Sequence, residues 1–196
     1  KSGVNAVQRN PNLALFGQGV LIGFVDTGID YRHEAFLNAD GTTHLFSIWD
    51  QTIVDGTPPS RFNFGAEYGK QEINMALRDT DPLMAVPSTD ENGHGTMLAG
   101  IAAGHPNLIK DFSGVAPDAE LVVVKLAPAK RYNRRIFGID DTVLCYPESN
   151  IFMGIEYIMS VAQRLNRPVV ICLGLGSSQG DHDGNDALAV YLNILS

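Results

Sequence analysis

Cysteine is scarce in this 196-residue chain, with two residues at positions 145 and 172. Two thiols make no disulfide scaffold and leave the redox compartment undecided. Cys172 lies in the apolar run Pro168-Val-Val-Ile-Cys-Leu-Gly174 and reads as a small buried hydrophobe. A surplus of positive charge is also lacking: 14 Lys and Arg face 22 Asp and Glu, for a net charge of −8. That excludes nucleic acid as the main partner, because phosphate binding needs clustered basic residues in excess. The densest basic group, Lys130, Arg131, Arg134 and Arg135, reads as a solvated loop. No apolar stretch approaches the ~18 residues of a membrane span, so no membrane partner is expected. Internal repeats and low-complexity tracts are absent as well. What remains, 44% hydrophobic and 18% charged residues, suits one globular domain.

The apolar runs alternate with helical patterns. Gly19–Val25, His44–Asp50, Glu120–Lys125 and Val169–Leu175 read as buried strands, short and rich in β-branched residues. Helices are expected from His94 to about Ala103, from Ser149 to Leu165 with Ser149 or Asn150 as cap, and over Asp186–Leu195. Residues 52–92 are rich in Pro, Gly, Asp and Asn, with a short helix near Glu72–Arg78. Continuous strands alternating with helices predict an α/β fold, a parallel sheet flanked by helices on both faces. Chemistry in such a sheet belongs beyond the carboxyl ends of the strands, at a topological switch point.

Two motifs stand at such ends. The first strand runs into Asp26-Thr-Gly-Ile-Asp30, a carboxylate at a strand terminus followed by a glycine turn. Asp-Thr-Gly also occurs in aspartic proteases, and such an Asp can simply cap a turn. The second motif is Asn92-Gly-His94-Gly-Thr96, a histidine between glycines where a loop becomes a helix. A helix N-terminus disfavours imidazolium, so a histidine that must become cationic there needs a carboxylate, and Asp26 is the candidate.

Together, Asp26-Thr-Gly-Ile-Asp30 and His94-Gly-Thr96 opening a helix of small residues resemble the subtilases, the subtilisin-like serine proteases. Asp111-Phe-Ser-Gly-Val-Ala-Pro117, Leu121–Leu126, Gly154-Ile-Glu-Tyr-Ile158 and Val169–Gly176 resemble the family's following segments in order. Within the family, Asp26–Phe36, Asn38-Ala-Asp-Gly41 and Ile48-Trp-Asp-Gln51 look most like the Csp-type subtilases of spore-forming bacteria. The resemblance implies a three-layer subtilisin-like fold, of which residues 1–196 are the N-terminal portion of one catalytic domain with an insertion at about 52–90. It implies peptide hydrolysis, Asp26 orienting His94 and His94 acting as general base and then acid. A polypeptide substrate would lie between Leu173, Gly174, Leu175 and Gly176 on one side and the segment from Leu126 to Ala129 on the other. A secreted or spore-associated setting is implied too.

The chain also departs from the family. Ala35 stands where many subtilases place an aspartate calcium ligand, with Asn107 in the loop sharing that site, so no metal or other cofactor is expected there. Gly174 replaces a common serine. The nucleophile segment Gly-Thr-Ser-Met-Ala does not occur in these residues. The oxyanion asparagine is also expected beyond them, so the remaining half of the catalytic domain is an expected partner and the chain alone should be inactive. A pseudoprotease, with the same fold serving binding or signalling, is the alternative reading. Gly176-Ser-Ser-Gln-Gly180 fits the hydrolase pattern around Ser178, but the only later histidine, His182, is too close. A metal hydrolase built on His182 and Asp183 is weaker still. Gly17-Gln-Gly19 precedes its strand, so it cradles no phosphate.

Overall fold

In a computed structural model, residues 3–176 and 183–195 are described; Ser178 and His182 lie outside them. After a short helix α1 (Val4–Gln8) come β1 (Leu21–Asp26), β2 (Leu45–Asp50), β3 (Ala66–Gly69), α2 (Lys70–Ala76) and α3 (His94–Ala103). The chain continues through β4 (Glu120–Lys125), α4 (Arg131–Ile136), α5 (Glu148–Leu165), β5 (Val169–Cys172) and α6 (Ala187–Leu195). The strands form one sheet in the order β3-β2-β4-β1-β5, parallel except for β3, which pairs antiparallel with β2 at the edge. The expected α/β architecture is therefore present, as a mixed sheet of mostly parallel strands.

Alternation along the strands separates two cores. Ile22 and Phe24 of β1 with Leu121 and Val123 of β4 face α3, while Leu21, Val25, Val122 and Val124 face α5. Both sets are buried, which accounts for strands without polar alternation. The α5 side is filled by Ile155, Tyr157, Ile158 and Val161 against Trp49. On the other side α3 presents only Gly95, Ala99 and Ala103 to the interior, so it lies close to the sheet. Its C-terminal carbonyls, which no helical turn can satisfy, accept from the next segment: Val115 N–H donates to Ile101, Ala116 to Ala102 and Gly114 to Gly104.

Several local expectations change. Helix α5 begins at Glu148 behind Pro147, with no side-chain cap, so neither Ser149 nor Asn150 serves as one. Asn150 instead turns its amide onto the Ala127 carbonyl. The basic loop contains the helical turns of α4, whose Arg134 reaches back to the carbonyls of Ala129 and Asp141. Strand β5 ends at Cys172, before the expected Leu175, and Cys172 is only partly buried. Residues 52–90 carry β3 and α2. Among the described residues no helix is long and apolar enough to cross a membrane.

Candidate active site

Strand β1 lies between β4 and β5, and the chain crosses over it from β4 through α5 to β5. Its carboxyl end is thus the topological switch point. Asp26 is the last residue there, pointing to the α3 side and 1% exposed. His94 is the first residue of α3, and its Nδ1 stands 2.7 Å from Asp26 Oδ1. The same oxygen accepts the Thr27 N–H at 2.7 Å. A carboxylate accepting at Nδ1 keeps the proton on that nitrogen and leaves Nε2 as the basic one. Asp26 Oδ2 is buried with no hydrogen-bond partner among the described residues, while the His94 side chain keeps 34% of its surface exposed. The dyad is therefore anchored at one end and open at the other.

Small residues make this approach possible. A Cβ on Gly95 would stand 2.2 Å from the Gly28 carbonyl oxygen, so a side chain there would lift α3 off the Asp-Thr-Gly turn. A Cβ on Gly174 would stand 2.7 Å from Asp26 Oδ2, 3.0 Å from His94 Cε1 and 2.3 Å from Leu98 Cδ1. The chain after β5 consequently lies flush against the dyad.

The loop leading into α3 is strapped to the strand ends. Lys125, in register with Asp26, is buried, and its Nζ donates to the Thr89 carbonyl at 2.7 Å and to Glu91 Oε2 at 2.9 Å. Asp50 at the end of β2 accepts from Ser88 Oγ at 2.7 Å. The Tyr146 phenol nearby is pushed up to about 12 by burial, with Asp26 and Asp90 adding to the shift, so it stays neutral.

The two expected substrate-binding segments differ. Gly174 and Gly176 are exposed, Leu173 and Leu175 half-buried. Among the described residues nothing hydrogen-bonds the backbone of residues 174–176. Leu126 is core, 2% exposed, and its N–H donates to the Asp26 carbonyl. Ala127 N–H donates to Gln51 Oε1 and its carbonyl accepts from Asn150 Nδ2, while Ala129 N–H donates to the Cys145 carbonyl and its own carbonyl accepts from Arg134 Nε. The segment from Leu126 to Ala129 has thus spent these groups internally. Nothing in the sequence shows this, since Gln51 and Asn150 are remote from it along the chain. Lys125, Tyr146 and Asp90 were also missed; for Asp90 the only signal was its place four residues before His94.

The place where the family resemblance would put calcium does not fit a cation. Ala35 has no donor side chain, Asn107 Oδ1 accepts the N–H groups of Ile109 and Lys110, and Glu34 pairs with the Lys110 ammonium. Among the described residues no three His, Cys, Asp or Glu side chains are grouped to hold a metal ion. A cavity of about 890 Å³ runs along the outer side of α3, lined by Met97, Ile101 and Phe112 among others, and includes neither Asp26 nor His94.

Known proteins share this arrangement. The profile of the subtilase family matches residues 17–191. The chain is 32% identical over 132 residues to the subtilisin-like protease SBT2.1 of Arabidopsis thaliana, covering 56% of this chain and 15% of that protein. It is 31% identical over 129 residues to mycosin-3 of Mycobacterium tuberculosis, covering 62% of this chain and 24% of the other. The solved CspB protease of Clostridium perfringens superposes with a TM-score of 0.80 at 32% identity, over 98% of this chain and 35% of that one. The chain spans between about a seventh and a third of the length of these relatives. With a mostly parallel sheet, an Asp–His dyad at its switch point and a family profile covering most of its residues, the chain belongs to the subtilase family.

Proposed function

We propose that this chain is the Asp- and His-bearing part of the catalytic domain of a serine endopeptidase, its serine nucleophile and oxyanion donor supplied by the rest of that domain. The observation carrying this reading is the 2.7 Å contact between His94 Nδ1 and the buried Asp26. In the reaction, His94 Nε2 takes the hydroxyl proton as the serine oxygen attacks the peptide carbonyl. Asp26 stays ionised and stabilises the imidazolium, which then gives the proton to the departing amine. Water repeats the sequence to free the acyl group. Gly174 to Gly176 would pair with the backbone of an extended substrate by strand addition. Alone, these 196 residues would not turn over, for want of a nucleophile.

Fluorophosphonate labelling of the full-length protein, with the modified residue mapped by mass spectrometry, tests this. One labelled serine beyond residue 196, lost on His94→Ala, is expected. No labelling of a folded, fully processed protein would assign it instead to a catalytically dead binding role. Labelling of Ser178 in the isolated chain would overturn the assignment of the site.

A further inference from the structure

A third carboxylate underlies both motifs. Asp90 Oδ1 accepts the Thr27 hydroxyl at 2.8 Å and the Gly93 N–H at 2.9 Å. Its Oδ2 accepts the Thr96 N–H at 2.9 Å and the Thr96 hydroxyl at 2.7 Å. Each threonine, its proton committed to Asp90, then accepts from the opposite motif. Thr27 Oγ1 takes the Gly95 N–H at 2.9 Å, and Thr96 Oγ1 takes the Asp30 N–H at 3.0 Å. The turn after Asp26 and the helix start at His94 are thereby cross-bonded through residues adjacent to both members of the dyad.

We propose that Asp90 is the positioning residue of the dyad, a carboxylate whose two oxygens lock the Asp-Thr-Gly turn to the first turn of α3 and so set the Asp26–His94 contact. This deepens the serine-protease reading and rests on it only where turnover is measured.

The bonding pattern demands a carboxylate rather than an amide of the same shape. Backbone N–H groups face both oxygens, Gly93 at Oδ1 and Thr96 at Oδ2. An asparagine would turn its NH₂ toward one of them in either orientation, leaving two donors face to face in a half-buried site. Burial by itself would raise the Asp90 carboxyl, but the Thr96, Thr27 and Gly93 donors outweigh it and hold the group below the usual carboxylate range. An ordinary helix cap, by contrast, would secure the start of α3 and leave the dyad indifferent to the substitution.

The test uses the full-length protein with Asp90→Asn, Asp90→Ala, Thr96→Val and Thr96→Ser, all checked for folding by thermal melt. Two quantities are read. One is the pair of ¹⁵N shifts of the His94 ring, which report which nitrogen carries the proton. The other is kcat and KM on a peptide substrate. Asp90→Asn should do as badly as Asp90→Ala. In both, the Nδ1 proton preference should give way to a tautomer mixture, and kcat should fall about 10- to 100-fold with KM within about twofold. Thr96→Val should follow them, and Thr96→Ser, which keeps the hydroxyl, should restore both readouts. If the Asp90 variants do not fold, the Thr96 pair decides alone. A variant with lowered melting temperature but unchanged ring shifts and kcat would reduce Asp90 to a cap and overturn the proposal. If the wild-type protein shows no turnover, the serine-protease reading fails, while the ring shifts still decide the role of Asp90.

Discussion

The two ends of α3 each carry a histidine, and the two are opposites. At the N-terminal end His94 is partly exposed and holds Asp26 at 2.7 Å. Beyond the C-terminal end the His105 ring lies 4.3 Å from that of His44, tilted by 45°, and His44 is 4% exposed, with no well-formed hydrogen bond to either ring nitrogen among the described residues. Burial pushes the His44 ring down to about 4, helped by the charges of His105 and Lys70, while Glu120 and the Pro117 carbonyl pull weakly upward. One end of the helix thus sets an imidazole against a carboxylate with its other nitrogen open, and the other buries an imidazole where protonation is costly. The side chain is the same. What differs is the carboxyl end of the sheet against the apolar underside of its amino end.

The largest effect that separates the two ends is on turnover. His94→Ala in the full-length protein should lower kcat about 10⁶-fold, as expected when a member of a triad is lost. His44→Leu should leave kcat within about twofold. Steady-state kinetics on a peptide substrate reads both, and comparable losses from the two substitutions would erase the distinction. Next comes acid stability. A folded His44 titrates near 4 and an unfolded imidazole near 6.5, so between those values the unfolded chain binds more protons. The His44 contribution to stability is complete above about pH 6.5, falls as pH drops to about 4 and is level below, a loss on the order of 3 kcal/mol. Urea denaturation across that window should show the slope in wild type and most of it gone in His44→Leu. The residue of the same sign belongs to His105, also lowered by burial.

Gly174 offers a sharper cut at the Asp26–His94 end. Valine there would force side-chain atoms against Asp26 Oδ2 and His94 Cε1, both held in place by the dyad bond. A loss of about 100-fold in kcat is expected in the full-length protein, with the fold retained because the position is exposed. Unchanged kcat would mean that the chain after β5 does not lie against the dyad.

The Asp26–His94 end was more legible in the sequence than the rest, and the reason is physical. Asp26 and His94 sit where a strand must end and a helix must begin, and glycines mark both places. The buried strands announce themselves because both sheet faces are covered, leaving uninterrupted runs such as Leu121-Val-Val-Val124. Strand β3, Ala66-Glu-Tyr-Gly69, has no such run, because an antiparallel edge strand owes its existence to pairing with β2. Helix α4 is held by Arg134 bonding the carbonyls of Ala129 and Asp141, just outside its two ends. The Asp90 cross-bonding depends on two hydroxyls and four N–H groups converging in space, which spacing alone does not reveal.

The smallest effect concerns the two flanking segments, which the sequence presented as equals. Among the described residues nothing bonds the backbone of residues 174–176, while Ala127 is tied at both groups by Gln51 and Asn150. Gln51 is buried, accepting from the Ala127 N–H and donating to the Asn150 carbonyl at 3.1 Å. Gln51→Ala leaves the Ala127 N–H without its acceptor and should cost about 1–2 kcal/mol in urea unfolding of the full-length protein. With the Leu126, Ala127 and Ala129 groups bonded internally, KM should stay within about twofold. A KM that moves severalfold with little loss of stability would mean that substrate main chain competes with Gln51 for Ala127, and would restore that segment as a second rail.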